Sequence, residues 1–306
     1  MKNYNVILLI SVLVLCLHAC NTKNQESKNN DSPNTVGPYL ALKPPGLIPE
    51  VIAPGIIVTG EDYVGNVRFS PDMKTIYFGK KGGEYKEYTS LVIQYENNTW
   101  QDESVSDLGR VDYFSKDGAI MYWENQYRER TESGWSELKS MEAPFDDKII
   151  MGLSITDQKT IFFSHFSRLD IPDRDGAISY SRFIDGKYQP SKKLGKHINN
   201  GKPLAHPYIA PDESYLIWDA VREEGYGDSD LYISFKQKDG SWGKATNLGA
   251  QINTNVAEEG PRVTPDGKYL TFSRSGHRVE EDGSRYVFGK PYWVDARFID
   301  KLRPQK

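Results

Sequence analysis

This sequence has little sulfur chemistry available to it. Its only two cysteines are Cys16 and Cys20, both within the first twenty of 306 residues. Everything after them must fold without disulfides or thiolate metal ligands. Long apolar runs are also scarce. Val6 to Leu17 is the one sizeable stretch, and it falls short of the ~20 residues a membrane helix needs. Gly-x-Ser-x-Gly, phosphate-loop and dinucleotide-binding fingerprints are missing, which removes the nucleophile-elbow, P-loop and Rossmann chemistries. No charge sign dominates: 38 basic and 42 acidic side chains leave a formal charge of -4. That balance gives no electrostatic reason for a nucleic-acid partner, and none is expected. What is abundant is flat and bulky. Aromatics make up 12% of the chain and include 19 tyrosines, a composition that suits many short strands better than helices.

The start of the chain reads as an address. Lys2, the apolar run and the closing Leu17-His18-Ala19-Cys20 form a secretory signal over residues 1–19. A cysteine directly after a small residue resembles a bacterial lipobox, which implies cleavage before Cys20 and its acylation; His18 departs from that motif. The polar, aromatic-free Asn21–Asn34 that follows cannot bury enough apolar surface to offset its ordering entropy. We therefore assign residues 20–45 to the lipidated cysteine and a flexible tether, and 46–306 to the folded domain. The expected location is the bacterial cell envelope, periplasmic or outer surface, with membrane contact through the lipid alone.

Within the folded domain a single short phrase is written five times: Phe69-Ser70-Pro71-Asp72, Phe114-Ser115-Lys116-Asp117, Ser154-Ile155-Thr156-Asp157, Ile209-Ala210-Pro211-Asp212 and Val263-Thr264-Pro265-Asp266. Four residues after each Asp comes Ile76, Met121, Ile161, Leu216 or Leu270; six after comes Phe78, Trp123, Phe163, Trp218 or Phe272. Repeats of this length signal a propeller, solenoid or array. The phrase is a turn, since Pro fixes φ at its second position and Asp tolerates its third. Residues 207–252 show a whole unit: a strand at Tyr208-Ile209-Ala210, a turn, Tyr215–Trp218, then alternating Ser229–Phe235, a Lys238-Asp239-Gly240-Ser241 hairpin, and Trp242–Leu248. Four antiparallel strands make one blade of a β-propeller. The second unit is shortened around Tyr127–Thr131 and Gly134-Trp135. Trp100, Trp135 and Trp242 recur on the outer strand and read as packing between blades.

The last unit stops at Tyr292-Trp293-Val294 without a fourth strand, while Ile52 to Ile56 carries the apolar spacing of Leu194 to Ile198 and Leu248 to Ile252. The N-terminal strand is thus expected to complete the C-terminal blade and remove an open sheet edge. This gives an all-β fold, a single propeller of five blades, with six as the alternative if the connections after Trp218 or Phe163 hold more strands.

Ser70-Pro71-Asp72, Ala210-Pro211-Asp212, Thr264-Pro265-Asp266-Gly267-Lys268 and Gly227–Tyr232 resemble the WD-like Pro-Asp repeats of TolB-type β-propellers, from about Gly46 to Leu302. Lys116 and Thr156 depart from the pattern by replacing Pro. The resemblance implies a secreted or periplasmic propeller. It does not imply one activity, since such propellers include binding modules and a few enzymes.

A propeller's privileged place is the mouth of its channel. Strand direction sends to the mouth opposite the Pro-Asp turns Lys80 and Lys81, Asp112, Glu124 and Asn125, His165 and Arg168, His206, Asp219 and Arg222, Glu258 and Glu259, and Arg274 and His277. The catalytic candidates are His165, His206, Asp219 and Glu258, as a base and acid or around a divalent metal. Some Pro-Asp-repeat propellers resemble oligogalacturonide lyases that use histidines there around a metal. No His-x-His or His-Glu-x-x-His spacing occurs, so no cofactor is expected. Asp112, Asp219 and Glu258 come from separate blades, as glycoside-hydrolase acids in five-bladed propellers do. The acidic loop Asp170, Asp173, Asp175, Gly176 lacks the EF-hand pattern and reads as solvated. Two functions remain. One is a binding module for an envelope protein or oligosaccharide; the other is a carbohydrate-active lyase or hydrolase, whose cations Arg222 and Arg274 suit uronate carboxylates. The test between them is whether His165, His206 and two carboxylates converge.

Overall fold

The computed structural model describes residues 37–167, 176–279, 283 and 285–304. All belong to one compact body, Asn34–Lys306. Cys20 and the leader, Arg168, and the acidic loop Asp170, Asp173 and Asp175 lie outside the described residues. No helix among those described is long and apolar enough to cross a membrane.

In three of the five phrases hydroxyl and carboxylate side chains together supply the hydrogen bonds of the turn; in the third Thr156 Oγ1 accepts from Thr160 N, and in the fourth Asp212 Oδ1 accepts from Ser214 N. In the first, Ser70 Oγ donates to Asp72 Oδ1 (2.6 Å), which also accepts from Lys74 N, while Thr75 N donates to Ser70 Oγ (2.9 Å). Ser115 with Asp117 and Thr264 with Asp266 repeat the scheme. This local bonding is a turn in its own right. It explains why Lys116 can stand where other repeats have Pro.

Each turn joins two strands of a four-stranded antiparallel set. The third repeat runs Lys148–Ile155, Ile161–Ser167, Ala177–Ser181 and Lys192–Lys193. The fourth runs Leu204–Ile209, Tyr215–Ala220, Asp230–Phe235 and Thr246–Asn247. The second is the slightest, with Tyr113–Phe114, Ile120–Trp123, Gln126–Thr131 and Lys139–Ser140. The first comprises Arg68–Phe69, Thr75–Gly82, Tyr85–Glu96 and Ser104–Val105. In the fifth, Ala257–Val263, Tyr269–Val279 and Arg285–Asp295 are completed by Glu50–Val51, with Glu50 opposite Trp293 and Val51 opposite Tyr292. The chain start thus closes the last sheet. The fold is a β-propeller, and Tyr63–Val64 pairs with both Arg285–Asp295 and Thr75–Gly82, so the fifth and first repeats share one ten-stranded sheet.

The core explains this architecture. It is divided into separate apolar layers, each lying between consecutive repeats. Tyr122 and Met141 meet Phe145, Leu153 and Phe163 across repeats two and three. Phe162, Ile178 and Ile198 meet Leu216, Trp218 and Tyr232 across three and four. Ile217, Leu231 and Ile233 meet Leu270, Phe272 and Val294 across four and five. At the closing seam Ile52, Ala53 and Ile57 join Trp293 to Phe69, Ile76 and Leu91. Tyr39 and Leu40, placed in the tether by composition, are 5% and 2% exposed and belong to this seam. Folded structure therefore begins before residue 46. Tyr39 is fixed by its hydroxyl on Asp266, and Gly37 O accepts Trp100 Nε1 (2.8 Å).

The outer tryptophans sit mostly on small hairpins beyond the main ladder. Trp100 pairs with Tyr95 and Trp135 with Arg130, while a single bridge joins Trp242 to Lys236. Trp242 packs edge-on against Phe162 of the preceding repeat.

Candidate functional site

The inner strands share one irregularity that builds the mouth. Their ladders skip between Ile150 and Leu153, Ala205 and Tyr208, and Glu259 and Arg262. The displaced residues Gly152, His206 and Gly260 take positive φ of 100°, 47° and 64°. Such bulges re-aim side chains. A non-glycine residue with φ > 0 is uncommon, so His206 is held there by its surroundings. Its N–H donates to Ser164 Oγ of the third repeat (3.2 Å), and in the same register Gly260 N donates to Asp219 Oδ1 of the fourth (3.0 Å).

Asp219 Oδ1 also lies 2.9 Å from His206 Nδ1. Burial alone would push the His206 imidazole down, but the charge and hydrogen bond of Asp219, with help from Glu259, outweigh it and hold its pKa above the ordinary value. Glu259 is raised too, first by burial and then by the neighbouring Asp219 charge, while Ser275 Oγ donates to its Oε2 (3.2 Å). The His206 imidazole and the Asp219 carboxylate thus meet here, with Glu259 near enough for its charge to act on His206. Strand alternation makes Glu259 available for it, because Glu258 faces the other way.

Facing this group is a polar cavity of about 80 Å³, lined by Tyr63, Asn66, Arg68, Tyr88, Arg110, Asp112 and His206 among others. The Arg110 guanidinium stacks over Tyr88 at 4.7 Å. Asp112 Oδ2 accepts from Glu124 N (3.1 Å), and burial followed by the Asp112 charge raises the Glu124 carboxyl.

The other expected mouth residues are placed elsewhere. His165 Nε2 bonds Ser179 Oγ within its own sheet (3.0 Å), and burial, aided by Lys148 and Lys193, pulls its pKa down to about 4. Glu258, fully buried, takes Arg274 Nε (3.2 Å) and both donors of Thr254. Arg274 lies over Tyr292 at 4.4 Å and donates to Ile252 O; Arg222 lies over Tyr232 at 4.1 Å and donates to Ile198 O. Lys80, fully buried, bonds Glu61 (3.1 Å), Glu103 and Thr59. These side chains clamp one repeat to the chain leaving the previous one. His277 is exposed on the long strand Tyr269–Val279, where its charge still reaches Glu259. Of the four catalytic candidates, His206 and Asp219 meet; His165 and Glu258 do not join them. Among the described residues no group of three or more His, Cys, Asp or Glu is arranged to hold a metal ion.

Sequence reading missed Asn66, Arg68, Arg110 and Arg262. A signal existed for two of them: Arg68 and Arg262 stand two residues before Ser70 and Thr264, each a charge between apolar neighbours, Val67 and Phe69 or Pro261 and Val263.

No family model and no curated protein matches the chain. Among solved structures it is similar to TolB from Acinetobacter baumannii, at TM-score 0.43 and 15% identity over 77% of this chain and 57% of that one. The chain therefore spans little more than half of that protein. It is also similar to the catalytic domain of a GH62 alpha-L-arabinofuranosidase from Coprinopsis cinerea, at TM-score 0.47 and 10% identity over 82% of this chain and 95% of that one. A regucalcin from Agrobacterium tumefaciens gives TM-score 0.40 and 14% identity, covering 74% and 75%. Likeness at this level carries no argument about ligand or activity.

Proposed function

We propose that this propeller is a binding module of the Pro-Asp-repeat type, held in the bacterial envelope by a lipid on Cys20, which takes a protein or glycan partner at its mouth. The observation that supports this reading most is the dispersal of the catalytic candidates: His165 and Glu258 are engaged in separate blades, and only His206, Asp219 and Glu259 share a rim. A rim of one imidazole, carboxylates, Asn66, Arg110 and tyrosines offers directional donors and acceptors around a polar pocket. Such polar groups orient a partner whose main contacts lie outside the pocket.

The test uses the lipid-free chain, immobilised, against solubilised envelope proteins and a panel of pectic and other oligosaccharides. Retention abolished by Asp219→Ala supports the binding reading. The rival is a polysaccharide lyase or glycoside hydrolase, for which the His206–Asp219 pair beside a raised Glu259 is the favouring observation. Turnover of any oligosaccharide, lost in His206→Ala, would replace the binding reading with the enzymatic one.

A further inference from the structure

Two guanidiniums lie in the interior of the channel, near Asp112 but in no ion pair among the described residues. Arg68 and Arg262 are 9% and 6% exposed. Arg68 donates to Val67 O (3.1 Å) and to Asp112 O of the second repeat (3.2 Å). Arg262 donates to Pro261 O of its own strand (2.7 Å), weakly to His206 O and Pro207 O of the fourth repeat, and to Leu153 O of the third (3.0 Å). Together they reach main-chain carbonyls of all five repeats. Neither forms an ion pair with a carboxylate among the described residues, and the buried Arg262 Nε has no hydrogen-bond partner. Burial and the Arg262 charge bring the Arg68 guanidinium down to about 9, and burial lowers Arg262 as well.

A cavity of about 60 Å³ lies between them, with Arg68, Arg262 and Asp112 as its charged lining beside Tyr113, Thr264 and Thr271. Two cations therefore face one carboxylate. The space is several times the ~10–15 Å³ that one water requires. It suits a halide or the head of an oxoanion or carboxylate.

We propose that this cavity is a site for one small anion, held between Arg68 and Arg262. An anion supplies the acceptor that Arg262 Nε lacks, and it offsets the repulsion between two desolvated guanidiniums. The anion is either a free inorganic ion or the carboxylate of a ligand entering from the mouth, since Arg68 and Asp112 line both cavities.

The experiment is a pair of measurements on the purified chain. Crystals grown or soaked in sodium bromide are expected to show an anomalous peak beside Arg262 Nε; an empty map there overturns the proposal. In solution, thermal unfolding is followed during titration with phosphate or acetate, the ionic strength being held constant with a sulfonate buffer too large for the cavity. A saturable rise of about 5–10 °C at a hundredfold excess over Kd is expected, and it is lost in Arg262→Met. Saturation by acetate alone assigns the site to a ligand carboxylate, and by phosphate alone to an inorganic ion. A non-saturating response equal in both proteins refutes the site. Should Arg262→Met not fold, the bromide map on the natural sequence decides. This readout uses no mouth partner, so its failure leaves the binding reading standing, and loss of partner capture leaves the anion site standing.

Discussion

Arg274→Met tests whether the charges in the blade joints are structural. Glu258 is 0% exposed in its side chain and Arg274 18%, with 3.2 Å between Arg274 Nε and Glu258 Oε1. Removing one partner of a buried pair leaves the other charge uncompensated, at a cost of about 3–5 kcal/mol. Thr254 still donates twice to Glu258, which argues for the lower end. Loss of the guanidinium from the Tyr292 face adds about 0.5–1 kcal/mol. For a domain of this size each kcal/mol lowers Tm by ~2–4 °C, so a fall of ~7–24 °C is expected at pH 7, read by circular dichroism. The paired change Glu258→Gln with Arg274→Met removes both charges and should recover more than half of that loss, because well-packed neutral groups replace buried pairs at little cost. Lys80, with Glu61 in the first repeat, occupies the same register and shows the same Thr-assisted bonding, so Lys80→Met should behave alike. An Arg274→Met protein melting within about 1 °C of the natural sequence would refute the clamp.

Two other groups give measurable outcomes. The folded His206 pKa lies above its ordinary 6.5, so its contribution to stability is fully present below that pH and disappears as pH rises through the folded value. The difference in Tm between the natural protein and His206→Gln should shrink as the pH is raised above the ordinary histidine value, with Glu259→Gln as the background removing the other titrating group; a flat difference contradicts the Asp219 pairing. Asn253, 1% exposed, bridges Leu231 through both N–H and C=O (2.9 and 3.0 Å), as Asn199 bridges Ile178. Asn253→Ala strands the Leu231 N–H, while the Leu231 C=O still accepts from Leu248 N (3.0 Å), and should cost about 1–3 kcal/mol in chemical denaturation; an unchanged midpoint would deny the bridge.

The turn phrase and the closing strand were legible in the sequence because each depends on local chemistry. Ser70, Asp72 and their equivalents carry their own hydrogen bonds, and Ile52 matches Leu194 and Leu248 wherever a blade ends. The mouth was only half legible, for a reason of parity. Seven residues after the phrase's Asp come Glu124, Ser164 and Asp219; eight after come Lys80, His165 and Arg274. Neighbouring positions on a strand face opposite sides of its sheet. Ser164 and Asp219 reach the bulge of the next repeat, while Lys80 and Arg274 turn back into the joint with the chain before them. Reading both positions as strand ends assigned all of them except Ser164 to the opening. The channel arginines escaped notice for the opposite reason: a charge inside an apolar strand has meaning only once a ring of strands surrounds it.

The early residues of the fold have a mechanical consequence. Tension applied to the chain ahead of Gly37 meets Tyr39, Leu40 and the Trp100 bond before it can reach the two-residue strand Glu50–Val51. These contacts act as a cleat. Such a load is taken up by side chains wedged among aromatic rings, and the short ladder that zips the circle shut is spared from peeling.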